Sequence, residues 1–332
     1  MFFHRVLNRV RHNYYFSHVI RTIARPTRMF CNFLSDEITK KIRINGGVVK
    51  YDGINLKFPK NIAMSLIGSI YWNGMHGYEP YNWQILRILL KKTGTRHFID
   101  IGSNFGIYSI LAKKCNPDLI VETFEPVPSI FEKNVMLHRE NGLVVDSKYN
   151  SSGGSLRILQ KAISNTSGKT TLHLPVNTTN LEEESTGTIR PDSWQADRQK
   201  DKIQIQVETI TLDDHLKKID VQGQIVIKID VEDHEAAVFE GAQKSLAKFK
   251  PYIICEMLAR EHGNQETCKI LTSLKYKIFA ITEKGLFIFN HEDFIAPRSW
   301  TDFFCVHEDI LLKNNLNKRN YLSFNCIKKI SG

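Results

Sequence analysis

The chain has 332 residues, 42% hydrophobic and 24% charged, with a formal net charge of +10. That length buries one large core or two modest ones, and that composition excludes a disordered polymer. The six cysteines (Cys31, Cys115, Cys255, Cys268, Cys305 and Cys326) show no C-x-x-C pair and no metal-site spacing, a usage that points to a reducing compartment.

The charge is unevenly spread. Residues 1–34 carry Arg5, Arg9, Arg11, Arg21, Arg25 and Arg28 and no Asp or Glu. Phe2, Phe3, Val6, Leu7 and Val10, then Phe16, Val19, Ile20 and Ile23, recur there at helical spacing. The segment lacks the ~20 apolar residues of a membrane span and shows no signal-peptide core ahead of a cleavage site. Three readings of an arm over residues 1–45 stand side by side. It is a basic amphipathic helix on an anionic membrane surface, a helical extension packed on the domain, or an organelle presequence low in serine. The expected location is cytoplasmic, with peripheral membrane contact through this arm under the first reading.

Residues 46–96 form the next block. Val48, Val49, Tyr51, Ile54, Leu56 and Phe58, broken at Asp52-Gly53, read as a hairpin between Gly46 and Pro59. A mixed apolar stretch from Ile62 to Gly77 follows, and Pro80 opens a helix through Leu90 that stops at Gly94. This block is expected to form a lid ahead of the main domain.

From residue 97 to 310 strands and helices alternate, which argues for a mostly parallel, doubly wound α/β sheet. Strands are expected to end at Asp100 and to run over Leu119–Phe124, Arg157–Ile163, Gln224–Val231 and Pro251–Glu256, closed by Tyr276–Ile281 and Phe303–His307. Helices are expected over Phe105–Cys115, Val127–Asn141, His234–Phe249 and Gln265–Leu274. Cys255 and Cys305 fall inside apolar runs and read as buried thiols. Ser147–Ser155 reads as a surface loop, and Pro175–Lys202 as a long polar loop that could cover an acceptor site. Residues 311–332 read as a tail.

Three motifs carry chemistry. His97 to Gly106 is an apolar run ending in Asp-x-Gly-x-x-x-Gly, then a helical pattern. A strand feeding a glycine turn and a helix builds the nucleotide pocket of open α/β sheets. Gly102 would allow the sharp turn and Gly106 a close approach of backbone to ligand. Asp100 stands where a dinucleotide fingerprint has its first glycine, and its charge opposes a pyrophosphate. It suits a nucleoside with a cationic, amine-bearing tail, such as S-adenosylmethionine. Glu125 follows the second strand, 25 residues after Asp100, where an acid accepts both ribose hydroxyls. Lys228-Ile-Asp-Val-Glu-Asp-His-Glu235 delivers Asp230 at the carboxyl end of the fourth strand, with Lys228 as its ion partner. Asp230, Glu232 and His234 are the candidate catalytic groups, His234 as general base to a hydroxyl. Glu232, Glu235 and His234 equally suit a helix start as caps and dipole partners. Asp230, Glu232 and Asp233 could hold a divalent ion, but no spacing compels one and no metal is expected.

The chain resembles the FkbM family of S-adenosylmethionine-dependent methyltransferases from about Tyr78 to His307. The resemblance rests on Phe98–Gly106, Phe124-Glu-Pro126 with Phe131 and Asn134, Ala162-Ile-Ser with Gly168, Ser185-Thr-Gly-Thr188, Thr211-Leu-Asp-Asp214, Lys228–Glu235, Gly241-Ala242 and Pro251–Glu256. It implies a class I, Rossmann-like methyltransferase fold with a reversed C-terminal hairpin. It also implies O-methylation of a sugar or natural-product hydroxyl, so that the partner is a small-molecule or glycan acceptor. By position Asp100, Gly102, Asn104 and Gly106 would hold the methionine part of the cofactor, Glu125 the ribose, and Ala162 and Ile163 the adenine. Tyr78-Glu79 matches a pair that would close over the cofactor, with Glu79 among its contacts, and Asp230 would contact the cofactor as well. Asp233 departs from the family's usual glycine, at a turn where φ would be positive.

Three other readings stay open. RNA ribose methylation is prompted by the basic balance and Lys228, but the positive charge lies at the amino terminus and no RNA-binding module accompanies it, so nucleic acid is a disfavoured partner. No Asn-Pro-Pro-Tyr turn for amino-group methylation follows the fourth strand. A catalytically silent cofactor-binding protein on a membrane is prompted by Asp233 and the arm. A nicotinamide oxidoreductase is the weakest, because of Asp100.

Overall fold

The computed structural model describes residues 47–59, 70, 78–91, 94–146, 148, 154–175, 188–189, 202–257, 263–289 and 300–330. The arm over residues 1–45 and most of 62–77 lie outside these. The chain divides into two compact units, Met1–Pro80 with Asn177–Glu183, and Tyr81–Val176 with Glu184–Gly332. No helix among the described residues is long and apolar enough to cross a membrane.

In the first unit β1 (Gly47–Tyr51) and β2 (Ile54–Phe58) form the expected antiparallel hairpin, Tyr51 opposite Ile54. Val49, Tyr51, Leu56 and Phe58 are buried on one side, as the period-2 pattern requires. Asp52 and Gly53 both have positive φ, the geometry a two-residue Asp-Gly turn supplies.

The second unit opens with α1 (Pro80–Leu90) and is built on one nine-stranded sheet. Its strands are β3 (Thr95–Ile101), β4 (Ile120–Phe124), β5 (Leu156–Leu159), β9 (Gln224–Ile229), β10 (Tyr252–Glu256), β11 (Tyr276–Thr282), β12 (Gly285–Ile288), β13 (Asp302–His307) and β14 (Tyr321–Leu322), in the order β14-β12-β11-β13-β10-β9-β3-β4-β5. From β5 to β10 neighbours are parallel, whereas β13 runs antiparallel to both β10 and β11, the reversed hairpin expected from the sequence. Strand order reverses direction between β3 and β9, so their carboxyl ends flank the crevice where such sheets take ligands.

Helices cover both faces. On one, α2 (Ile107–Cys115) packs against β3 and β4, and α3 (Pro128–Glu140) against β5. The other is covered by α4 (Leu212–Leu216), α5 (Glu235–Glu240), α6 (Gln243–Phe249) and α7 (Gly263–Ser273). There Ile99, Ile101, Ile225, Ile227 and Ile229 meet Val238, Phe239, Leu246 and Leu271 in one core. Alternation along the strands turns Asp100 and Lys228 to the α2 face. Cys255 and Cys305 are buried free thiols, as expected.

Four parts of the chain differ from the sequence reading. Arg157–Ile163 is not one strand, because β5 ends at Leu159 and β6 (Ala162–Ile163) belongs to a second, three-stranded sheet. The Leu159 carbonyl accepts from both Glu125 N–H (3.0 Å) and Lys161 N–H (2.9 Å), which turns the chain out of the first sheet. The segments flanking the long polar loop, unassigned in the sequence reading, are paired strands, β7 (Gly168–Pro175) and β8 (Lys202–Ile210), in register from Gly168–Thr209 to Pro175–Lys202. The helix expected over His234–Phe249 is broken at Gly241-Ala242. A Cβ at Gly241 would lie 2.1 Å from the Ser164 carbonyl oxygen. The groups freed by the break are taken by Asp213, whose N–H donates to Gly241 O (2.9 Å) and whose carboxylate accepts from Lys244 and Ser245 N–H (3.1 and 2.7 Å). Residues read as a tail carry β14, which pairs with β12 at the sheet edge, and α9 (Phe324–Ile330), which follows α8 (Glu308–Lys313).

Candidate functional site

The loop after β3 is held through its N–H groups, mostly by Phe124 and Glu125. Gly102 and Ser103 N–H both donate to Phe124 O (3.1 and 3.0 Å), Asn104 N–H to Glu125 Oε2 (3.0 Å), and Gly106 N–H to Ser103 O (2.8 Å). Gly102, Asn104 and Gly106 have φ of 75°, 49° and 75°, so alternate residues are left-handed. Gly102 makes the expected sharp turn, and both glycines also let protein atoms approach closely. A Cβ on Gly102 would lie 1.8 Å from Asp230 O, and one on Gly106 would lie 2.4 Å from His138 Cε1 and 2.6 Å from Asn134 Oδ1. Gly106 thus admits side chains of α3, while Gly102 lets the loop lie against the end of β9.

Strand register gathers the predicted carboxylates. Asp100 lies opposite Thr123 on β4 and Lys228 on β9, and Asp230 N–H donates to Ile101 O (3.0 Å). Lys228 Nζ pairs with Asp230 Oδ2 at 2.9 Å and sits 4.7 Å from the centre of the Tyr108 ring on α2. Burial works against the Asp230 charge, but Lys228 and a hydrogen bond with Glu256 hold its carboxyl below the usual range. Glu256, at the end of β10, responds in the opposite sense: burial and the Asp230 charge push it far up, so it keeps its proton. Sequence reasoning missed Glu256 as a site residue. The signal was available, since it is the last residue of the parallel strand next to β9.

Glu125 is buried, and its oxygens accept Asn104 N–H and Val127 N–H (3.0 and 2.9 Å). Burial first, then the charges of Asp100 and Asp230, push it up to about 8. Glu235 is pushed up to about 8 as well, chiefly by burial.

After Asp230 the chain makes a tight left-handed turn, with φ of 48° at Glu232 and 75° at Asp233. Asp233 therefore occupies a conformation that glycine adopts more cheaply. The Thr188 hydroxyl donates to Glu232 O (2.9 Å), and Asp233 N–H to Glu235 Oε1 (3.2 Å). His234 occupies the N-cap position of α5 without a side-chain cap hydrogen bond, is buried, and its Nε2 lies 2.9 Å from Ser164 Oγ, a partner not foreseen. Ala162 and Ile163 are buried just before Ser164, with the Ile163 side chain in the core beside Phe124 and Phe239. Glu79, with φ of 41°, belongs to the first unit. Among the described residues no group of His, Cys, Asp and Glu is arranged to hold a metal ion.

The donor set tests what ligand fits. Asp100, Glu125 and Asp230 crowd one crevice closely enough that the first and last raise the second. A positive charge placed among them relieves that repulsion, and a pyrophosphate aggravates it. The residues therefore fit a nucleoside with a cationic tail.

The family model of the methyltransferase FkbM domain matches residues 100–278, a span from Asp100 past Glu256. No curated protein sequence matches the chain. Among solved structures it is similar to an FkbM methyltransferase from Methylobacillus flagellatus, at 13% identity and TM-score 0.38 over 73% of this chain and 54% of that one. The chain thus spans about half the length of that protein. It is also similar to a precorrin-6y methyltransferase from Geobacter metallireducens, at 7% identity and TM-score 0.34 over 68% of this chain and 85% of that one. With more than half of its length in the family model, the chain belongs to the FkbM family of S-adenosylmethionine-dependent methyltransferases.

Proposed function

We propose that this methyltransferase acts on a hydroxyl oxygen of a glycan, glycolipid or other polyol. The observation that carries the reading is the Asp230 carboxylate, kept ionised by Lys228 at the carboxyl end of β9. S-adenosylmethionine, when bound, supplies a methyl group made electrophilic by its sulfonium. Asp100 and the Gly102–Gly106 loop hold its methionine part, Glu125 its ribose, and Ala162 and Ile163 border its adenine. Alignment of the acceptor oxygen supplies on the order of 7–11 kcal/mol. Asp230 takes the hydroxyl proton, a contribution of roughly 10²–10⁴-fold. Glu232 and His234 stand beside it at the turn and orient the acceptor.

Incubating the protein with radiolabelled methyl donor and fractionated cell extract tests this. Label is expected in the glycan or lipid fraction, and Asp230→Asn should lower its rate at saturating cofactor roughly 10²–10⁴-fold. Label confined to RNA or protein sinks the reading.

Cofactor binding should also depend on pH. Because the Glu125 carboxyl is raised to about 8, it is largely protonated in the free protein at neutral pH. Its folded value lies above the unfolded one, so its contribution to stability of the free protein falls as pH rises from about 4.5 to about 8. A cationic ligand favours the ionised form, so binding releases a proton. The dissociation constant for S-adenosylmethionine should fall by up to about tenfold per pH unit as pH rises towards 8, and level off above it. Calorimetry in buffers of different ionisation enthalpy counts that proton, and a flat profile contradicts the assignment.

A further inference from the structure

We propose that Asn134 and His138 on α3 are positioning residues that hold the cofactor loop in its binding conformation from behind, a role that rests on the loop's binding the amino-acid tail of S-adenosylmethionine. The relay has two parts, one from α2 through His138 to the main chain of Asn134, the other from the Asn134 side chain to the loop. Ser109 Oγ lies 2.9 Å from His138 Nε2, and His138 Nδ1 lies 2.9 Å from Asn134 O. Asn134 Nδ2 then donates to Asn104 O (2.7 Å) and to Ser103 Oγ (3.0 Å).

Hydrogen-bond chemistry fixes the direction of every link. A backbone carbonyl only accepts, so Nδ1 of His138 carries the proton and Nε2 accepts from the Ser109 hydroxyl. The Ser109 hydroxyl also donates to Gly106 O at 2.9 Å, so its one proton is shared between that carbonyl, which receives Ile110 N–H as well, and the ring. The ring stays neutral, because burial pushes His138 down to about 4. At the far end Asn104 O can only accept, which sets the Asn134 amide with both N–H groups towards the loop.

The consequence is that Asn104, left-handed without being glycine, is gripped at both of its peptide groups. Its N–H goes to Glu125 and its C=O to Asn134. Burial at this point favours an apolar residue: Asn134 is fully buried, and its Oδ1 has no hydrogen-bond partner among the described residues. A leucine would fill the space without that unsatisfied oxygen. What asparagine adds is two donors aimed at the loop. Glycine at 106 completes the device, since any Cβ there meets His138 and Asn134 first. A loop preset in this way does not lose conformational freedom when ligand arrives.

The test compares two ligands on the full chain by calorimetry. S-adenosylmethionine has the amino-acid tail that meets the loop, and methylthioadenosine is the same nucleoside without it. Asn134→Leu should weaken S-adenosylmethionine roughly 5- to 100-fold, the equivalent of two hydrogen bonds, and leave methylthioadenosine within about twofold. Ser109→Ala, which shortens the relay at its far end, should show the same split at roughly threefold and serves if Asn134→Leu does not fold. Equal weakening of both ligands means a merely structural role and overturns the proposal, as does no weakening of either. Wild-type protein that binds methylthioadenosine but not S-adenosylmethionine overturns the reading of the loop itself, a result distinct from variants that bind like wild type.

Discussion

Gly102→Ala is expected to abolish binding of S-adenosylmethionine and to destabilise the fold by roughly 2–5 kcal/mol. Two costs add. At φ of 75° a side chain pays roughly 1–2 kcal/mol for the left-handed conformation. The new methyl would also lie 1.8 Å from Asp230 O, a main-chain atom that cannot swing aside. Asp230 N–H is tied to Ile101 O at 3.0 Å, so relief requires parting the ends of β3 and β9 where the cofactor loop begins. Gly142→Ala is the control. Gly142 has the same φ of 75°, but nothing lies within 4 Å of its would-be Cβ, so only the conformational cost applies. Denaturant unfolding should show Gly102→Ala losing clearly more stability than Gly142→Ala, and calorimetry should show cofactor binding lost only in the former. Equal losses would mean that the contact between loop and β9 is unimportant.

Much of this site was legible because its information is local. The apolar run into Asp100, the acid at 125 and the strand into Asp230 are each contiguous, and right-handed parallel connections leave little choice of neighbours. The hairpin at Asp52-Gly53 was legible for the same reason. Glu256 was harder, since its importance arises only when β10 docks beside β9 and sets a second carboxyl against Asp230. The relay through Ser109, His138 and Asn134 depends on the packing of α3 under the loop, which periodicity does not encode. The strands β7 and β8 do alternate, with Ile203, Ile205, Val207 and Thr209 interleaved by polar residues. Their polar partners and the long charged insert between them masked the pairing. The break at Gly241 was hidden because its cause, the Ser164 backbone, comes from 77 residues earlier.

Glu122 carries the second large effect, and no motif announces it. It lies in mid-β4, fully buried, on the sheet face opposite Asp100. Its carboxylate pairs with the Arg157 guanidinium directly across on β5, and with His215 Nε2 on α4 at 3.0 Å. The His215 ring also meets Phe124 edge-on at 4.9 Å. Burial opposes the Glu122 charge, yet His215 and Arg157 hold the carboxyl below its usual value. Removing one partner of such a set leaves the others buried without compensation, so Glu122→Ala should cost roughly 3–5 kcal/mol in urea unfolding. Glu122→Gln keeps an acceptor for Arg157 and should cost less. The sign of the pH effect follows from the lowered pKa. The carboxylate's contribution is present above the ordinary glutamate value and is lost as pH falls through the folded one, so wild type should lose more stability on acidification than Glu122→Gln. Because Glu122 faces α4 rather than the cofactor loop, the glutamine variant that remains folded should bind S-adenosylmethionine within a few-fold of wild type. A large loss of affinity there would show that the buried triad sets the site as well as the fold, since β4 delivers Glu125 three residues later.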